Sequence, residues 1–368
     1  MGQKACEGAN AVIICYVFIK ISMFYKKRRE ATVNKHKIAK TMAHNSKNEC
    51  PYSLLKRVLM PFKLKRGYRI DYPQYVWIDI TNECNLQCIM CPQSKGLKRK
   101  KMTMGMETFT RIIDQVCLNK PRIILHVSGE PLLNKNVFEM IRYVNDKGCK
   151  ATMFTNATLL TREMSVRILE SSLDNIFFSF DGCTPEIYEK IRVGAKFEQV
   201  KSQIETFLKL RSEANSKSPI VVIEIICIKE TKSYISGFIK YWERRGVDRI
   251  GIRLAGTWLG LVDDYRIKTE VKSFGLKPCD SLFFGCAILA EGTVVPCCKD
   301  VEGRLPLGNI LEKSFDEIWN GKAYNDLRNQ HLKGAIPENV ICHSCAHIRC
   351  WNRKEQVMQW FLKRFFSC

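Results

Sequence analysis

"YVWIDITNECNLQCIMC" (residues 75–91) joins an apolar run to three cysteines, Cys84, Cys88 and Cys91, at C-x3-C-x2-C spacing. Tyr75 to Ile80 has the β-branched and aromatic texture of a strand buried on both faces, as in parallel sheets. The cysteines follow at once, so they belong to the loop at the strand's carboxyl end. Three closely spaced thiolates can converge on one metal group, yet a structural site normally takes four ligands. Two readings follow: a zinc ion with a distant fourth ligand, or an iron–sulfur cube with one iron left open.

Outward from this loop, strands alternate with helices. "RIILHV" (122–127), "KATMFT" (150–155), "DNIFFSF" (174–180), "IVVIEIIC" (220–227) and "RIGIRL" (249–254) repeat the strand texture. Helical segments fall between them, around 107–118, 135–147 and in "TREMSVRILESS". Such alternation implies parallel strands joined by right-handed crossovers. Six units fall short of the eight in a closed barrel. The expected fold is therefore α/β, an open, partial (β/α)6 TIM-like barrel over residues 73–274, with functional groups at the carboxyl ends of its strands. Beyond 275 the texture changes: seven cysteines lie from Cys279 to Cys350 among Gly and Pro turns. This reads as a small metal-stapled module, 275–352.

The chain has 368 residues, 18 of them cysteine, with 46% hydrophobic and 26% charged residues, a globular rather than disordered composition. Clustered thiols with no clear signal peptide favour reduced metal ligands in the cytoplasm over a disulfide scaffold. Of the net charge of +22, residues 1–70 supply 16 − 3 = +13. A basic extension (1–72) attracts nucleic acid or anionic lipid, or is simply solvated. In "AVIICYVFIKISMFY" (11–25) the apolar run stops at Lys20, short of the roughly 20 residues that span a bilayer. If it anchors, "KKRR" (26–29) holds the body on the cytoplasmic side. The tail, 353–368, reads as an amphipathic helix that packs on the body or makes peripheral membrane contact.

"CNLQCIMC" after a first strand resembles the signature of the radical S-adenosylmethionine (radical SAM) enzymes. The resemblance implies a 4Fe–4S cluster on Cys84, Cys88 and Cys91 whose open iron is chelated by S-adenosylmethionine. One electron then breaks a sulfonium–carbon bond, and a 5′-deoxyadenosyl radical takes a hydrogen atom from substrate. "HVSGEPLL" (126–133) resembles the family's Gly-Gly-Glu segment, with Ser128 in place of its first glycine. Ser128, Gly129 and Glu130 are thereby implied to accept hydrogen bonds from the methionyl ammonium. "FTNATLL" (154–160) is similar to the family's Thr-Asn segment and brings Asn156 to the cofactor. "FSFDG" (178–182) and "IRVGAKF" (191–197) supply Ser179 and Arg192, implied to hold the methionyl carboxylate, for which an arginine fork is suited. Two departures stand out: Met90 replaces a frequent aromatic residue, and the fifth strand offers Glu224 and Cys227 where a glycine-containing adenine motif is usual. Adenine contacts are unassigned.

"PCDSLFFGCAILAEGTVVPCCKD" (278–300), "LGNILEKSFDEIWNG" (307–321) and "CHSCAHIRC" (342–350) resemble the SPASM extension, also called twitch-like when shortened. The resemblance covers about residues 73–350. A full extension carries seven cysteines for two auxiliary clusters; here the better fit is one auxiliary 4Fe–4S cluster on Cys279, Cys297, Cys342 and Cys345, with Cys286, Cys298 and Cys350 as reserves and a second cluster as the alternative. A zinc knuckle using His343 or His347 is a further alternative. The implied protein is an oxygen-sensitive cytoplasmic oxidoreductase acting on a peptide or a polar small molecule, such as a sugar or aminocyclitol, by oxidation or cross-linking. Its partners are S-adenosylmethionine and a one-electron reductant such as flavodoxin or ferredoxin; nucleic acid is not expected. The rivals are an RNA-modifying radical SAM enzyme and a non-catalytic iron–sulfur or zinc scaffold. Arg253 and Trp258 suit substrate contact at the barrel mouth. His126 is either a lumen proton donor or acceptor or a satisfied strand histidine. Cys117, Cys149, Cys183 and Cys227 read as small buried apolar residues.

Overall fold

Six strands follow one another in space as they do in sequence: β1 (Tyr75–Ile78), β2 (Arg122–Ile124), β3 (Lys150–Thr155), β4 (Asn175–Ser179), β5 (Ile220–Cys227) and β6 (Arg249–Leu254), each parallel to the next. The computed structural model describes residues 72–263, 265, 278–345 and 348. The stretch 11–25, the tail, His347 and Cys350 lie outside these residues, as does nearly all of the basic extension. Helices α1 (Met106–Val116), α2 (Val137–Asp146), α3 (Arg162–Glu170), α4 (Pro185–Ile191), α5 (Phe197–Glu213) and α6 (Ile235–Glu243) connect the strands. This is the open, partial barrel expected from the alternation.

On the far side of β1 lies β7 (Gly285–Ile288), also parallel to it, then β8 (Thr293–Val295) and β9 (Gly308–Asn309), both antiparallel. The cysteine-rich region thus extends the barrel's own sheet. Short helices α7 (Ser281–Phe284) and α8 (Phe315–Trp319) and the longer α9 (Lys322–Lys333) complete it.

The helices form where apolar residues recur at helical spacing. In α1, Phe109, Ile112, Ile113 and Val116 make one stripe and are all fully buried. They share a core with the outward faces of the strands, including Val76, Ile78, Ile123, Met153, Ile176 and Ile223. Each such side chain contributes about 1.5–3 kcal/mol on burial. Capping fixes where helices begin: Thr161 and Thr184 accept hydrogen bonds from the N–H groups of Met164 and Ile187, and Pro185 opens α4.

Alternate strand residues face inward. Phe154 lies opposite Phe177, and Ser179 opposite Glu224. Trp77 and Phe154 stand 5.4 Å apart, His126 and Phe154 5.6 Å, and Phe154 and Phe177 4.2 Å, ring centre to ring centre. These four rings are only half-buried, so they wall a lumen and do not plug it. No helix among the described residues is long and apolar enough to cross a membrane.

Candidate iron–sulfur and cofactor site

The sheet ends before the apolar pattern does. β2 stops at Ile124, because the next residues are drawn sideways onto the cysteine loop: Ser128 N donates to Asp79 Oδ1 (3.2 Å) and Glu130 N to Glu83 O (2.8 Å). Gly129 is required there. A Cβ on it would fall 2.2 Å from Thr81 O and 2.5 Å from Glu83 O, both backbone atoms that cannot step aside. The loop is pinned from the other side by Gln93 Nε2, which donates to Asn82 O (2.6 Å) and Ser128 O (3.0 Å). Gln87 N and Ile89 N donate to Val193 O and Ile191 O, docking the loop on the end of α4.

This brings Cys84, Cys88 and Cys91 within electrostatic reach of one another. Burial pushes the Cys84 thiol up to about 11 and Cys91 up to about 12, the neighbouring sulfurs adding to the rise. Cys88 is raised by burial too, against the pull of the Arg192 guanidinium. Among the described residues, no three His, Cys, Asp or Glu side chains group tightly enough to hold a single metal ion.

Polar groups from three strand ends face these sulfurs. Asn156 Nδ2 donates to Cys84 Sγ (3.9 Å), and its backbone N–H to Glu130 Oε2 (2.7 Å). Glu130 also accepts from Thr155 Oγ1 (2.7 Å) and Leu132 N (3.2 Å), so its buried carboxyl, raised by burial, ties the end of β2 to that of β3. Arg192 donates to Cys88 Sγ (3.7 Å) and, through Nε, to Asp181 Oδ2 (2.7 Å), with a second Nη contact to the same oxygen. Burial works to lower the Arg192 pKa, but Asp181 and Cys88 outweigh it and keep the guanidinium charged.

The implied cofactor residues therefore differ in how free they are. Ser179 is half-buried and its hydroxyl has no protein partner. Ser128 turns its hydroxyl onto Asp79 (3.2 Å), and Arg192 spends most of its fork on Asp181. Reading "FSFDG" for its serine passes over Asp181, which orients Arg192 and also accepts from Ile226 N (2.5 Å). Asp79 is equally silent in sequence, a lone carboxylate at the end of an apolar strand. It is 0% exposed and paired with Arg99 at 2.7 Å. Burial raises its pKa against the opposing pull of Arg99 and Ser128.

His126 lies beside this cluster, and its Nδ1 is buried without a hydrogen-bond partner. Burial holds its pKa down at about 4 against a usual 6.5; a backbone hydrogen bond with Gly129 works against the fall and the Arg192 charge adds to it. The unfolded chain therefore takes up a proton that the folded one refuses, and stability falls as pH drops from about 6.5 towards about 4. Between about pH 7.5 and about pH 5, wild type should lose roughly 2 kcal/mol more than His126→Leu in urea denaturation. Equal losses would place the ring in solvent.

Farther out, Glu224 holds Arg253 at 2.7 Å (Nε) and 2.6 Å (Nη); the carboxylate side chain is 9% exposed, the arginine 58%. Trp258, in a left-handed conformation (φ 48°), donates Nε1–H to Met90 O (2.9 Å).

In the C-terminal region, Cys279 lies in electrostatic range of Cys297, Cys342 and Cys345, and Cys342 in range of Cys297 and Cys345. Burial pushes Cys279 up to about 11, Cys342 up to about 12 and Cys297 well above its ordinary value. Cys286 faces Arg328, whereas Cys298 stands beside Cys297, whose pKa it helps to raise, and feels Lys299 and Arg253. Cys149 Sγ approaches Cys117 O at 3.9 Å, so these two thiols are neighbours.

A parallel half-barrel with a thiol triad at its first strand end, continued by a thiol-bearing extension, defines an iron–sulfur class of enzyme fold. Residues 78–241 match the Radical SAM superfamily, and residues 279–346 match SPASM, the iron–sulfur cluster-binding domain. The chain belongs to the radical SAM superfamily and carries a SPASM domain. It is 25% identical over 318 residues to the tungsten-containing aldehyde ferredoxin oxidoreductase cofactor-modifying protein of Pyrococcus furiosus, covering 74% of this chain and 86% of that one. It is 26% identical over 323 residues to the AdoMet-dependent heme synthase of Methanosarcina barkeri, covering 74% and 91%. Its fold is that of Streptococcus suis SuiB bound to precursor peptide SuiA, with a TM-score of 0.60 at 15% identity, covering 92% of this chain and 83% of that one.

Proposed function

We propose that the protein removes a hydrogen atom from a peptide or a polar small molecule, leading to an oxidation or a new linkage. The observation that carries this reading is the set of groups on the loop sulfurs: Asn156 donating to Cys84, Arg192 donating to Cys88, and Glu130 and Asp181 holding both donors in place. Thiolates are the ligands iron–sulfur clusters take, and N–H donors at sulfur tune them. The residues fit a cluster at Cys84, Cys88 and Cys91. When bound, the cluster and S-adenosylmethionine supply one-electron cleavage of a sulfonium–carbon bond and hydrogen-atom abstraction.

The chain's own residues do the rest. Glu130, with lone pairs still available beyond its three donors, attracts the methionyl ammonium; Ser179 and Arg192 serve the carboxylate, Arg192 by sharing its fork with Asp181. Trp77, Phe154 and Phe177 present an apolar lumen wall. Arg253, braced by Glu224 and still more than half exposed, donates hydrogen bonds to the oxygen acceptors that either substrate class presents. Cys279, Cys297, Cys342 and Cys345 hold one auxiliary cluster. Radical chemistry thus resides in residues 73–274 and the auxiliary group in 275–352.

The test is anaerobic incubation of the reconstituted protein with dithionite and S-adenosylmethionine. Formation of 5′-deoxyadenosine supports the reading, and no knowledge of the substrate is needed. Absence of iron–sulfur absorption, or zinc in the amino-proximal loop, overturns it.

A further inference from the structure

The segment "KGLKRKK" (95–101) leaves the cysteine loop four residues after Cys91 and carries five cations with no anion before Glu107. Its backbone is fastened at Lys98, Arg99 and Lys100 and just beyond, at Met102. Glu302 accepts from Lys98 N (2.8 Å) and Arg99 N (3.1 Å), Asn82 Nδ2 donates to Lys100 O (2.8 Å), and Met102 N donates to Asn82 Oδ1 (2.7 Å). Arg99 turns inward, donating to Asp79 (2.7 Å) and Val301 O (2.9 Å).

The lysines do the opposite. Lys95, Lys98, Lys100 and Lys101 are all exposed. Lys95 reaches Asp263 at 3.5 Å, but both ends are solvated and such a pair is worth little. Among the described residues, Lys98, Lys100 and Lys101 have no ion pair. Glu302 spends its carboxylate on backbone N–H groups and not on their ammonium groups. The result is a rigid strap with free positive ends, built onto Asn82, two residues before Cys84. Nothing in folding requires this: an unpaired lysine row on fixed backbone costs repulsion and gains no packing.

We propose that this strap is the docking surface for a small acidic one-electron carrier protein of the flavodoxin or ferredoxin class. The inference rests on the proposed radical chemistry, which consumes one electron per cleavage. In the docked pair one electron would pass from the reduced carrier to the cluster that Cys84, Cys88 and Cys91 would hold; no proton or group would move. Weak redox encounters use small interfaces, and charge steering sets their rate. Point-charge lysines on a pre-ordered backbone suit that, since little ordering entropy is spent on contact. The strap suits RNA less well: it has no aromatic side chain to stack a base, and its one arginine is committed to Asp79.

The experiment uses the reconstituted full chain and an acidic flavodoxin as probe. Its readouts are binding affinity as a function of salt, and 5′-deoxyadenosine formed with reduced flavodoxin or with dithionite. The variant Lys98→Glu, Lys100→Glu, Lys101→Glu should lose tenfold or more in flavodoxin affinity and in flavodoxin-driven turnover, and stay within twofold of wild type with dithionite. The matching Lys→Arg variant should keep both. Unchanged flavodoxin affinity in the glutamate variant overturns the proposal. So does a parallel loss with dithionite, which would make the strap structural, or tight RNA binding with none to flavodoxin. If wild type bound flavodoxin through the strap but formed no 5′-deoxyadenosine with dithionite, the docking surface would stand and the radical reading would fail.

Discussion

Replacing Cys84, Cys88 and Cys91 together by alanine is expected to abolish 5′-deoxyadenosine formation and to remove about half of the bound iron. Half is the figure because each 4Fe–4S group contributes equally, and Cys279, Cys297, Cys342 and Cys345 belong to a separate set of thiols. Iron is counted per chain, and the nucleoside is followed by chromatography. Loss of all iron would mean that the two thiol sets form one site; retention of cleavage would remove the loop from the chemistry. The free thiols carry a further consequence. With Cys84 held at about 11 and Cys91 at about 12, both are protonated at neutral pH, so loading must displace protons. Reconstitution of the wild type should therefore be weaker at about pH 6.5 than at about pH 8.5.

The second large effect is expected from Asp181→Asn. The substitution keeps the shape and the acceptor for Ile226 N but removes the charge facing Arg192. Removing one partner of a buried pair leaves the other charge uncompensated, at a cost of about 3–5 kcal/mol. Stability of the cofactor-free protein should fall by that order in chemical denaturation. The methionyl carboxylate is proposed to share the same guanidinium, so saturating S-adenosylmethionine should restore more stability to the variant's reconstituted form than to the wild type's. If the cofactor stabilises both equally, Arg192 is structural and its carboxylate role is wrong.

Much of this is legible in the sequence. The strand texture of "YVWIDI" and its successors survives translation into space because parallel strands buried on both faces must be apolar throughout. The thiol triad is local, since its three members lie on one short loop. The free versus committed state of the cofactor residues was not readable. Ser128, Ser179 and Arg192 look alike as motif positions, but only Ser179 is left open once Asp79, at the end of β1, has taken Ser128 and Asp181, at the end of β4, has taken Arg192. The same holds for His126, whose sequence neighbours give no hint that Nδ1 lacks a partner.

By itself the sequence determined the alternation that makes a half-barrel, the cysteine loop at its first strand end, and the run of cysteines that follows the barrel. All of these depend on residue type and short-range spacing. Tertiary structure alone decided which buried charges pair, Asp79 with Arg99 and Asp181 with Arg192, and that β7 continues the barrel sheet at β1. It also decided that the lysines after the loop stand free while Arg99 between them turns inward. The physical reason is range. A buried charge is stabilised by whatever the fold brings within a few ångströms, and no pattern along the chain specifies that partner.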